Sequence, residues 1–288
     1  MTTDSVTTTI AVLGTGLIGA PVARNLRSHG FTVRAWNRTL AKAQALEFDG
    51  VQVFNTPAEV VSGADIIVTV LKDGPAVLEA MQVATPMLSK GAVWLQLSTI
   101  GIESIETLEA FAVQHGLRLY DAPVQGTRQP AEQGQLIVLA SGPLAEREKV
   151  QPVFDAIGKR TLWVSEQVGT SSRLKLALNN WAFALTHGLA ESLAIAKGLG
   201  VDPNLVVDVV SGGPMDSGYF QLKAAAILAD DYTASFSIAN AVKDSQLVVD
   251  AAAAVGVQVD TAQAGLRRFQ RALEAGHGDK DMAASYLA

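Results

Sequence analysis

Ile10-Ala11-Val12-Leu13-Gly14-Thr15-Gly16-Leu17-Ile18-Gly19 is a short apolar run that breaks into glycines. Ala20 to His29 follows with a helical pattern, and Gly30 closes it. The glycines stand in GxGxxG spacing between strand and helix, and each has its own task. The first makes the tight turn, the second lets backbone approach a pyrophosphate, and the third lets helix and strand pack closely. The helix start adds N–H donors and the positive end of its dipole. Gly14, Thr15, Gly16, Leu17, Ile18 and Gly19 are therefore the expected dinucleotide-binding turn.

Outward from this turn the chain alternates. Strands are expected over Phe31–Trp36, Val51–Phe54, Ile66–Leu71, Val93–Leu97, Arg118–Asp121 and Ile137–Ser141. Helices are expected over Leu40–Phe48, Pro57–Ser62, Ala76–Leu88, Ser104–His115 and Ala145–Ile157. Strands alternating with helices at this spacing mean βαβ units and a mainly parallel sheet. After Val164 the strands vanish. A long helical pattern runs from Ser171 to Leu199, and further helices are expected over Pro203–Ser211, Tyr219–Ala229, Ile238–Val255 and Thr261–Ala275. The expected fold is α/β: an N-terminal Rossmann-type doubly wound sheet over residues 1–165, then an all-helical domain over residues 166–288, joined by a long interdomain helix.

The end of the second strand selects the dinucleotide. NAD sites usually place a carboxylate there, on the ribose hydroxyls. This chain has Asn37-Arg38-Thr39 instead. Nothing in that turn repels a 2′-phosphate, and the planar fork of Arg38 suits one. Asn37 and Thr39 can add hydrogen bonds. NADP is expected as cofactor, in preference to NAD.

Composition removes several classes of function. The 288 residues include no cysteine, so disulfides, thiolate metal sites, iron–sulfur clusters and cysteine nucleophiles drop out together. The four histidines lie far apart and form no HExxH pair, so no metal site is expected. A net charge of -6 argues against nonspecific nucleic-acid binding, which needs a basic surface. No apolar run approaches the length of a membrane span. Met1 to Thr9 is polar, without a basic residue, and reads as a frayed tail rather than a signal peptide. The expected compartment is the cytoplasm.

Within the long helix, Lys175 and Asn179 are four apart and share one face. Leu and Ala surround them. A buried lysine is costly unless it has a task or a partner. Burial, and the cationic ring of an oxidised nicotinamide, would both favour its neutral form, which suits a general acid or base. On spacing alone a solvated lysine remains the commoner outcome. Asn180, His187 and Glu191, on a neighbouring face, read as a subunit or domain contact.

Taken in order, these segments resemble the β-hydroxyacid dehydrogenase family, which includes 3-hydroxyisobutyrate dehydrogenases and tartronate and succinic semialdehyde reductases. The resemblance covers nearly the whole chain. It rests on Gly14 to Leu26, on Asn37-Arg38-Thr39, on Ser98-Thr99-Ile100 and on Asp121-Ala122-Pro123-Val124-Gln125-Gly126-Thr127. Gly169, Lys175 and Asn179 extend it, as does Lys243-Asp244. The resemblance implies hydride transfer from NADPH to a small β-oxo acid or semialdehyde, and the reverse oxidation of a β-hydroxy acid. Lys175 is then the general acid/base, and Asn179 holds the substrate and orients the lysine. Leu71, Thr99 and Lys243 lie on the nicotinamide side, and Gln125, Gly126, Thr127 and Arg128 form the substrate loop.

Two departures stand out. The family commonly has Ser where this chain has Gln125 and Gly where it has Thr127, and Leu71 is followed by Lys72 rather than Pro. An NADPH-dependent imine reductase is the alternative, since those enzymes have similar Trp36-Asn37-Arg38-Thr39 turns. They typically carry Asp or Tyr at the position of Lys175 and lack the Asp-Ala-Pro-Val loop. A non-catalytic dinucleotide-binding module is a further alternative, against which Lys175 and Asn179 speak. The family resemblance, together with the length of the helix and the Ala-rich segments Ala224–Ala226 and Ala251–Ala254, leads to a homodimer or a dimer of dimers as the expected assembly.

Overall fold

A computed structural model of the chain describes residues 8–288. Most of the expected frayed tail lies outside the described residues, although Thr9 already opens the first strand. The chain forms two compact units, one reaching to Lys175 and one from Leu176 to Ala288.

The first unit runs β1 (Thr9–Leu13), α1 (Gly19–Ser28), β2 (Thr32–Trp36), α2 (Leu40–Gln44), β3 (Gln52–Val53), α3 (Pro57–Val61), β4 (Ile66–Thr69) and α4 (Gly74–Ala84). It continues with β5 (Val93–Gln96), α5 (Ile102–His115), β6 (Arg118–Asp121), β7 (Val124–Gln125), α6 (Arg128–Glu132), β8 (Leu136–Ser141), α7 (Arg147–Ile157) and β9 (Gly158–Ser165). The sheet order is β3-β2-β1-β4-β5-β6-β8-β7, with β9 on β8. From β3 across to β6 all neighbours are parallel, whereas β8 runs antiparallel to β6 and β7. β4 and β5 are buried throughout, as strands covered by helices on both faces should be. The winding direction reverses between β1 and β4, and in such sheets ligands bind beyond the carboxyl ends of the strands at that point.

Several boundaries differ from the sequence expectation, each for a local reason. The helix from Leu40 stops at Gln44, because Leu46 to Gly50 tightens into a turn closed by Gly50 at φ +77°. α4 starts two residues early because Asp73 accepts from the Ala76 N–H at 2.9 Å, and the tighter turn that follows it contains Pro86. β7, α6 and β9 are additions to the expected pattern. β9 pairs in parallel with β8 yet has no fully buried residue, and its apolar stretch is only Leu162-Trp163-Val164.

α8 (Thr170–Gly198) begins in the first unit and becomes the first element of the second. α9 (Pro203–Val210), α10 (Gly218–Leu228), α11 (Ile238–Ala254) and α12 (Asp260–Ala272) follow. The last expected helix ends at Ala272, and a wider turn with Gly276 at φ +84° leads to the closing segment Met282–Leu287. Phe183 packs edge-on against Phe269 at the centre of this unit. Beside that core, buried Lys223 meets Asp281 at 2.6 Å, and Asp281 also accepts from the backbone of Ser235, Phe236 and Ala283. No helix among the described residues is long and apolar enough to cross a membrane.

Candidate active site

Gly14, at φ +103°, lies so close to β4 that an added Cβ would sit 2.2 Å from the Val70 carbonyl oxygen. A Cβ at Gly19 would sit 2.0 Å from the Gly14 carbonyl oxygen. The protein's own packing therefore demands the first and third glycines. Gly16 is different: a Cβ there meets nothing within 4 Å. Its bareness serves whatever approaches from outside, at a helix start that carries no side-chain cap and no acid in its first turn. The Thr15 hydroxyl is buried beside it with no partner among the described residues. Leu17 and Ile18 complete the turn, with Leu17 exposed. These features fit a dinucleotide pyrophosphate.

Asn37 ties this turn to the end of β2. Its side-chain oxygen accepts from the Thr15 N–H at 3.1 Å, and its amide donates to the Thr39 carbonyl at 3.0 Å. Asn37 thus clamps backbone at both ends of its amide, while Arg38 and Thr39 are exposed. Leu71 and Thr99 follow the carboxyl ends of the neighbouring strands β4 and β5. Ser98 joins them: its hydroxyl accepts from the Leu71 N–H at 2.9 Å, and its own N–H donates to Gln96 at 2.7 Å. The glycine turn, Leu71 and Thr99 therefore share one edge of the sheet.

The expected substrate loop continues from β6. Val124 and Gln125 pair with Val138 and Ile137, so this stretch is a strand rather than a free loop. Gly126 then turns at φ +130°, where a Cβ would press on Leu136 at 2.8 Å. Thr127 precedes α6, and Arg128, its first residue, pairs with Glu132 at 2.7 Å on the surface. The Arg128 charge is thus shared with a neighbour one helical turn away.

α8 is anchored by residues to which sequence reasoning assigns no role. Asp121, at the end of β6, accepts from the Ser172 N–H at 2.7 Å and from its hydroxyl at 2.8 Å. Ser141, at the end of β8, accepts from the Ser171 N–H at 3.2 Å. These bonds satisfy orphan donors in the first turn of the helix. Burial pushes the Asp121 carboxyl up to about 6, against the pull of its Ser172 hydrogen bonds. The clue in the sequence is the run Gly169-Thr170-Ser171-Ser172 opening a long helix, which needs an acceptor from elsewhere. One turn beyond Ser172 stands Lys175, 8% exposed, its Nζ donating to the Gln125 side-chain oxygen at 2.9 Å. The lysine is buried and has a polar partner, as a buried ammonium requires.

The remaining predicted residues lie in the second unit. Asn179, one turn further along α8, is buried and donates to Asp244 at 3.0 Å. Lys243 pairs with the other oxygen of Asp244 at 2.6 Å. Asn179, Asp244 and Lys243 thus form one connected group. His187 and Glu191 turn toward α12 of their own unit. His187 packs on Gly265 and Phe269, and Glu191 meets Arg268 at 3.2 Å.

Comparisons with known proteins bear on both parts of the chain. Residues 9–165 match the family model for the NAD binding domain of 6-phosphogluconate dehydrogenase. Residues 169–288 match that for the NAD-binding domain of NADP-dependent 3-hydroxyisobutyrate dehydrogenase. The chain is 30% identical over 278 residues to glyoxylate/succinic semialdehyde reductase 1 of Arabidopsis thaliana, covering 96% of each. A crystal structure of 3-hydroxyisobutyrate dehydrogenase from Salmonella typhimurium superposes with a TM-score of 0.90 at 25% identity, covering 97% of this chain and 99% of that one. An imine reductase from Myxococcus stipitatus in complex with NADP+ gives 0.65, also at 25% identity, covering 97% and 100%.

Proposed function

The chain belongs to the β-hydroxyacid dehydrogenase family, and from that premise we propose that it interconverts a small β-hydroxy acid and its semialdehyde or oxo form, with NADP(H) as the preferred cofactor. It is an NAD(P)-dependent oxidoreductase. The observation that carries the finer reading is buried Lys175, held 2.9 Å from Gln125 in the expected substrate strand. The nicotinamide, when bound, supplies or accepts the hydride.

The chain's own residues do the rest. Gly14 to Gly19 present bare backbone and a helix N-terminus to the pyrophosphate. Arg38 and Thr39 would hold the 2′-phosphate, and Asn37 fixes the turn that carries them. Leu71, Thr99 and Lys243 serve the nicotinamide side. Lys175 gives a proton to the substrate oxygen that becomes the hydroxyl and takes it back in the oxidation. Asn179, itself oriented by Asp244, holds that oxygen. Gln125, Gly126, Thr127 and Arg128 receive the acid end of the substrate. Lys175→Ala should lower kcat by about a thousandfold while NADPH still binds, as titrated by fluorescence. An unchanged kcat would remove the lysine from the mechanism.

The imine-reductase reading rests on the bulkier Gln125 and Thr127 in place of small residues. NADPH oxidation with glyoxylate and succinic semialdehyde, set against a cyclic imine, separates the two. For assembly we place a second copy of the chain against α8, where Trp181 is 64% exposed, Ile195 is exposed further along the helix and Leu199 is exposed just past its end. Sedimentation of Trp181→Glu should then show dissociation, and an unchanged mass would put the partner elsewhere.

A further inference from the structure

We propose that Gln125 is a positioning residue for Lys175: its side-chain amide holds the lysine ammonium on one side and offers its own N–H groups to the substrate on the other. This rests on the reading of Lys175 as the proton donor. The contact is 2.9 Å from Nζ to Oε1, and its direction is fixed by chemistry. A lysine ammonium only donates, so the glutamine oxygen must face it. The amide is planar, and its NH2 then points away from the lysine with two donors to spend.

The backbone that presents Gln125 is firm. Val124 and Gln125 are laddered to Val138 and Ile137. Val124 is buried in the core of the unit, and strand alternation puts Gln125 on the opposite face. Gly126 turns the chain at once, with no room for a side chain against Leu136. At the other end, Asp121 and Ser141 pin the first turn of α8. The lysine therefore extends a flexible four-carbon stem between two fixed points, and Gln125 restricts its tip.

The choice of an amide has a consequence. A neutral oxygen orders the ammonium and holds its proton less strongly than a charged group would. A carboxylate at the same place would hold that proton. Family members commonly carry Ser here, whose hydroxyl stands one bond from Cβ. Gln reaches further and fills more of the site. The free NH2 suits a carbonyl or carboxylate oxygen, and the lost space favours a short oxo acid over a long or branched one.

The test uses the full chain with NADPH, and glyoxylate and succinic semialdehyde as probes. Gln125→Glu should move the alkaline limb of the kcat/KM profile up by about one pH unit. Gln125→Leu should lower kcat by about tenfold or more and leave the KM for NADPH within about twofold. Gln125→Ser should recover part of that loss and shift preference toward the longer probe. An unmoved alkaline limb in Gln125→Glu, or an unchanged kcat in Gln125→Leu, would overturn the proposal. Lys175→Ala runs beside them. If it is inactive while the Gln125 variants match the parent, only the positioning role falls. If it keeps its kcat, both readings fall.

Discussion

The two units of this chain place their ion pairs differently. In the first, Arg24–Asp49, Arg128–Glu132 and Arg173–Glu106 all pair on the surface. Such exposed pairs are worth roughly 0–1 kcal/mol. In the second, Lys223 and Asp281 meet with 2% and 4% of their side chains exposed, Asp244 is buried under Lys243 and Asn179, and His187 lies inside the packing of α8 on α12. The reason lies in the backbone. A parallel sheet fixes its own register through the strand ladder, and glycines set the turns at its edge. Helices satisfy their backbone internally, so apolar stripes alone leave open which residue meets which. Buried polar contacts close that choice, because a misplaced charge is costly.

The largest effect that would break this contrast is at the buried pair. Lys223→Met should cost about 3 kcal/mol of stability, since it leaves a buried carboxylate without its countercharge. Asp281→Leu should cost more, about 5 kcal/mol, because three backbone N–H groups and the Ser235 hydroxyl lose their acceptor as well. Burial works against the Asp281 carboxylate, yet Lys223 and the hydrogen bonds hold it below the usual carboxylate range. Its contribution is therefore present above the ordinary carboxylate value and is lost only in stronger acid. Denaturant unfolding measures both variants. If Asp281→Leu costs no more than an exposed pair such as Arg24–Asp49, the second unit does not depend on its buried charges.

A smaller effect sharpens the contrast through pH. His187, 7% exposed, is pushed down from 6.5 to about 4, chiefly by burial and then by Arg268 and Arg271. The unfolded chain binds a proton that the fold refuses, so stability falls as pH drops from 6.5 toward 4. Asp121 is raised from 3.8 to about 6, so the fold binds a proton that the unfolded chain does not. Its contribution grows as pH drops through the same window. Each amounts to about 3 kcal/mol, and they oppose. Asp121→Asn should therefore make the chain acid-sensitive between pH 6.5 and 4, and His187→Leu should make it more stable toward acid. Denaturation midpoints across that range measure both slopes. Parallel curves for parent and variants would show that burial of these two groups does not set them.

The same contrast explains which features are legible in the sequence. The demands of Gly14 and Gly19 are local, made by atoms a few residues away or on the next strand of a known motif, and the turn is legible in full. So is the need for a buried Lys175 to have a partner. The identity of that partner is not, because Gln125 and Lys175 meet only once β7 pairs with β8 and α8 is pinned. Asp121 lies 51 residues from Ser172, and nothing between them announces the bond. Asn179–Asp244 and Lys223–Asp281 are likewise tertiary facts, 65 and 58 residues apart. β9 escapes for a different reason: every residue is at least partly exposed, and its apolar stretch is only Leu162-Trp163-Val164, behind Lys159, Arg160 and Thr161.

The smallest effect concerns a charge that the first unit holds out at its edge. Arg38 is exposed at the end of β2, on a turn that Asn37 locks by accepting from Thr15 and donating to Thr39. Removing the guanidinium should leave that turn intact, since none of its clamping bonds use it. Arg38→Ala should therefore keep the stability of the parent. It should raise the KM for NADPH by about tenfold and the KM for NADH by much less, because only the former brings a 2′-phosphate to a planar, charged fork. Asn37→Ala should instead raise both, since it frees the glycine turn that either cofactor needs. Steady-state kinetics with the two cofactors distinguishes these patterns. Equal effects of Arg38→Ala on NADPH and NADH would mean that the edge charge serves the adenosine in general, and the preference for NADP would have to come from elsewhere in the turn.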